Sequence, residues 1–104
     1  MDFSTHPLER RARSFGIHGD EYRAAQRMTN ELDDLFTSLT TMSPGDLATE
    51  ETLRQAMAML MSITQHFGSV GGWTSGCHAR LYAEANRLLG PGQLEFNQPN
   101  LREP

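Results

Sequence analysis

The feature that most constrains the fold is a spacing. A helix is expected from about Asp20 to Thr41, because Ala25, Met28, Leu32, Leu35, Leu39 and Met42 follow one another in alternating steps of three and four residues. Such a seam keeps one stripe of a helix against a neighbour, and no strand can present it, since strand faces alternate at every second residue. Tyr22 and Phe36 widen the stripe at its two ends. The same alternation returns in Leu53, Ala56, Leu60, Ile63 and Phe67, which predicts a second helix from about Thr49 to Phe67. Between the two lies Ser43-Pro44-Gly45-Asp46, a break whose residues suit a helix end and a helix start. Glu50 and Glu51 then put carboxylates in a first turn, and Gly68 is placed to stop the second helix.

A third helix is expected from about Thr74 to Leu89, with Cys77, Leu81, Ala85 and Leu88 on its apolar face and Gly90-Pro91-Gly92 ending it. Short links favour antiparallel neighbours. The expectation is therefore an all-α chain, a small bundle of about three helices built on an antiparallel helical hairpin. Its 104 residues suit a single domain with an N-terminal segment over 1–19, a helical core over 20–90 and an extended, flexible tail over 91–104. Pro7 to Phe15 suits a short extra helix, and Leu94 and Phe96 in the tail could dock on something.

GSVGGWTSG, residues 68–76, raises the question of a phosphate loop. A P-loop follows a strand and needs a lysine, but here a helical pattern precedes it and the chain has no lysine at all. Gly68, Gly71, Gly72 and Gly76 also miss the dinucleotide spacing. The glycines read instead as a bend or a close approach of backbones. Trp73 beside them either closes the end of the hairpin core or anchors an interface.

No residue pattern announces catalysis, a cofactor or a metal. His6, His18, His66 and His78 stand at no ligand spacing, and Cys77 is alone, so no disulfide or cysteine-held zinc arises. Neighbours in a helix point apart, so Cys77 and His78 do not make a thiol–imidazole pair, and an inert, buried Cys77 is expected. The net charge of -4 argues against direct nucleic-acid binding. The cluster Arg10, Arg11 and Arg13 reads as a basic arm or, more simply, as salt-bridge partners of an acidic block. That block is Glu31, Asp33, Asp34, Asp46, Glu50 and Glu51, either a solvated face or a surface for an arginine-rich partner. No apolar run reaches the ~20 residues of a membrane span, and the charged start lacks a signal-peptide core, so a cytoplasmic protein is expected.

The methionines point outward. Met57, Met59 and Met61 stud AMAMLMSI and cannot share one helix face, so this helix is apolar over a wide arc. A chain this small buries roughly 60–70% of its unfolded surface. A second copy or another protein is therefore expected to complete the burial, against methionines that adapt to a partner's shape. Met57, Met59, Met61, Phe67, Trp73 and Phe36 are the expected partner-binding residues.

The opening MDFSTHPLERRARSFGIHGDEYRAAQRMTNELDDLF and the later AMAMLMSITQHFGSVGGWTSG resemble small pseudomonad anti-activators of quorum sensing. The resemblance implies an all-helical protein without catalytic residues that binds a LuxR-type receptor, LasR-like, and blocks its dimerisation and so its DNA binding; a homodimer is expected with it, from the chain's size. It brings no contact residue with it. The alternative from another class is a small helical chaperone or secretion adaptor that holds apolar client segments.

Overall fold

The computed structural model describes residues 3–16 and 19–90; the expected tail over 91–104, with Leu94 and Phe96, and His18 lie outside the described residues. A 3-10 turn, Phe3–Thr5, leads into helices α1 (Pro7–Arg13), α2 (Asp20–Thr41), α3 (Thr49–Phe67) and α4 (Gly71–Leu89). The described residues are all helix and connection, with no strand. The expectation of about three helices is corrected to four, because the short N-terminal segment makes a full helix of its own. His6 caps it: its Nδ1 accepts the Leu8 amide proton at 2.9 Å, and Pro7 takes the first-turn position where no amide is needed.

The bounds of α2 and α3 follow the seams. The start of α2 meets the end of α3 where Glu21 pairs with His66, and the end of α2 meets the start of α3 where the Thr49 hydroxyl donates to Met42 Sδ at 3.7 Å. The two helices are therefore antiparallel neighbours. Helix α4 begins at Gly71, earlier than the expected Thr74, because the Thr74 hydroxyl accepts the Val70 amide proton at 2.8 Å and steadies a glycine-rich first turn. Its far end reaches α2, where Arg87 donates to the carbonyls of Leu39 at 2.7 Å and Met42 at 3.0 Å. Both carbonyls lie at a helix C-terminus, where a cation is favoured, and Leu39 O accepts the Met42 amide proton as well.

Arg11 does the same for α3. Its guanidinium donates to Phe67 O at 2.6 Å and to Ser69 O at 3.3 Å, which ties α1 to the α3–α4 link. Arg13 turns within α1 to Glu9, at 2.8 Å. The expected bridging of Arg11 and Arg13 to the acidic block is thus replaced by a helix cap and a local pair. Leu32, Leu39, Leu53, Leu60, Ile63 and Leu81 form the solvent-free centre, and α1 adds Leu8 and Ala12 from one end.

That end carries a pH-sensitive contact. Burial pushes the His6 imidazole below its ordinary value of 6.5, against the nearby Asp33, which pulls it up. The neutral ring is also the one that can accept from Leu8. The unfolded chain takes up this proton first as the pH drops, so the His6 contribution is complete above 6.5 and is lost as the pH falls below it. Thermal unfolding followed by circular dichroism should therefore show a falling midpoint over that window. His6→Asn, whose side-chain oxygen keeps the cap, should flatten the slope there. The buried Glu9 carboxylate, held low by the Tyr22 hydroxyl and then by Arg13, acts only in the more acidic range.

Candidate partner-binding face

The seam of α2 has two edges, and the fold uses them differently. Ala25, Leu32 and Leu39 are fully buried between helices, while Met28, Leu35 and Met42 are only partly covered. Phe36 and Thr40, on the other flank of α2, meet α4 through Arg80 and Glu84. Nothing among the described residues covers the flank that carries Met28 and Leu35 in the same way.

There α2 and α3 leave a trough. One stretch, of about 500 Å³, has Leu35, Ala58 and Met59 as its floor and Glu31 and Asp34 on its α2 rim. Gln55 and Ser62 form the α3 rim. A second stretch, of about 360 Å³, shares Ser62, continues over Ala24 and Met28, and ends at Glu21 and His66. The seam spacing builds this face: Ala24, Met28, Glu31 and Leu35 recur at helical intervals on α2, as Gln55, Met59 and Ser62 do on α3.

The six residues expected from sequence do not come together. Met59 lies in the trough. Met61 is 47% exposed, but it is two residues on, so it points about 200° around α3, on the far side. Met57 is 4% exposed, and Phe36 and Phe67 are likewise buried, so these three fill the core and offer no surface. Trp73 is partly buried, its ring edge-on to His6 at 4.7 Å, and closes the end of the bundle. The trough instead draws on Leu35, Ala58, Glu31 and Asp34. The acidic block contained two of these, and the tight spacing of Glu31, Asp34 and Leu35 on one face was the available signal.

His6, Glu9, Thr49 and Thr74, buried elsewhere, each bond within the fold. Burial pushes the Cys77 thiol up to about 11, which leaves it a thiol rather than a nucleophilic thiolate near neutral pH. Among the described residues no group of three or more His, Cys, Asp and Glu side chains could hold a metal ion. No described helix is long and apolar enough to cross a membrane. Comparison with protein-family models, with curated proteins and with solved structures gives no match.

Proposed function

We propose that this chain is an anti-activator of the QslA type, which binds a LuxR-type, LasR-like transcription factor through protein contact and blocks its dimerisation. The reading involves no catalytic step, no cofactor, no direct contact with DNA and no membrane; it works as a homodimer in the cytoplasm. The observation that carries it is the trough between α2 and α3, an apolar floor with an acidic rim along the face that α4 does not cover. A regulator that reads two half-sites as a dimer is disabled by anything that occupies its pairing surface. Such a competitor needs an apolar centre with a polar rim.

Size exclusion with light scattering, on the chain alone and mixed with the receptor, tests both parts. A dimeric mass alone supports the homodimer, and a mixed peak with fewer receptor copies than the receptor dimer supports competition. Met59→Asp should weaken the mixed complex at least about thirtyfold, the scale of a lost hot spot, while circular dichroism stays helical. Unchanged separate peaks at micromolar concentration would remove the receptor reading. Capture of unfolded apolar segments in the same assay would put the helical chaperone or adaptor in its place.

A further inference from the structure

We infer that the trough is the vacant position of a helix bundle, and that its occupant is one amphipathic helix of the partner with its cations on the edge facing α2. The inference rests on the preceding reading only in taking the trough as the contact surface. Both walls are helices whose backbone groups are already bonded internally, so an extended segment has no free strand edge to join and recognition falls to side chains. From Glu21 to Ser38 the α2 wall runs about 26 Å at 1.5 Å per residue, room for roughly five turns of a third helix alongside. Met28 and Met59 in the floor adapt to whatever apolar side chains the occupant presents at helical spacing.

Charge sets how that helix is rotated. The α2 rim carries Glu31 and Asp34, three residues apart and like-charged. Among the described residues no ion pair engages either carboxylate. The α3 rim carries no acidic side chain, with Gln55, Ser62 and Gln65 along it and His66 at its end paired with Glu21. No arginine lines either stretch. A helix with arginine or lysine on one edge and small or uncharged polar residues on the other fits this asymmetry. A helix with acidic residues at those same positions is repelled by Glu31 and Asp34.

Fluorescence anisotropy with two labelled synthetic helices tests this on the full chain. Both are roughly 18 residues long, about 27 Å, with one leucine–alanine stripe; the first carries arginine along one edge, and the second carries glutamate at those positions. The arginine-edged helix should bind at least about tenfold tighter. Glu31→Arg with Asp34→Arg, both on exposed or rim positions, should reverse the order, and Met59→Asp should abolish binding of either helix. Equal affinities, no binding by either peptide, or a preference that survives the charge reversal would each overturn the inference. The receptor assay separates the two failures. A receptor complex without peptide binding sinks the helix occupant alone, whereas reversed peptide preference without a receptor complex sinks the receptor alone.

Discussion

Phe36→Ala is expected to lower the unfolding free energy by about 3–5 kcal/mol, the range for emptying a buried aromatic site. The Phe36 side chain is 2% exposed between α2 and α4, and the Arg80 guanidinium sits over its ring at 4.5 Å from the centroid. Truncation removes core volume and the face on which that cation rests, a contact worth about 0.5–1 kcal/mol at a partly exposed site. Total stabilities of small domains lie at about 5–15 kcal/mol, so the loss is a large fraction of what is available. Urea unfolding should show a much lower midpoint, and Phe36→Leu, which refills most of the volume, should recover a good part of it. A loss below about 1 kcal/mol would mean that the α2–α4 contact is not packed as described. The same variant shows why Phe36 is a poor probe of partner binding: any loss of binding would follow from a loosened bundle.

The second large effect is expected at Gly68, the cap of α3. Its backbone, φ 86° and ψ 171°, lies in a region that is essentially reserved for glycine and costs other residues about 1–3 kcal/mol. An added Cβ would also stand 2.6 Å from Arg11 Nη1, the atom that donates to Phe67 O. Gly68→Ala must therefore both strain the backbone and evict the guanidinium from its cap. Arg11→Ala alone removes the cap without the strain, at about 1 kcal/mol for partly exposed hydrogen bonds. Once Arg11 is gone, Gly68→Ala has only the backbone cost left. The double variant should accordingly be less destabilised than the two single losses added together. Strict additivity in urea unfolding would show that the two residues do not meet.

The registers of α2 and α3 were legible because burial repeats with the helix. All of Leu53, Ala56, Leu60, Ile63 and Phe67 are inside, as their spacing implied. The division of the α2 seam into a buried edge and an open one was not legible. Apolar identity marks both Leu32 and Leu35, and only the packing of the other helices around α2 decides which is covered. Met57 misled for the same reason: it shares its residue type with the exposed Met61, while α3 turns it with Ala56 into the core. The start of α4 was obscured by glycine's low helix propensity, which a single threonine hydroxyl and packing outweigh. Arg11 could be seen as a cation but not as a cap, since its partner lies 56 residues away.

That distance has a consequence for assembly during synthesis. The helical hairpin of α2 and α3 closes over a short turn and can form as soon as α3 leaves the ribosome. The N-terminal helix can lie against α2 early, where Tyr22 donates to Glu9, but its tie to the α3–α4 link waits for the carbonyls of Phe67 and Ser69. Closing so long a loop is slow compared with zipping neighbours together. Helix α1 is thus fixed late at this end, and until Arg11 is seated the end of the bundle that holds Phe67 and Trp73 stays open to chaperones and proteases.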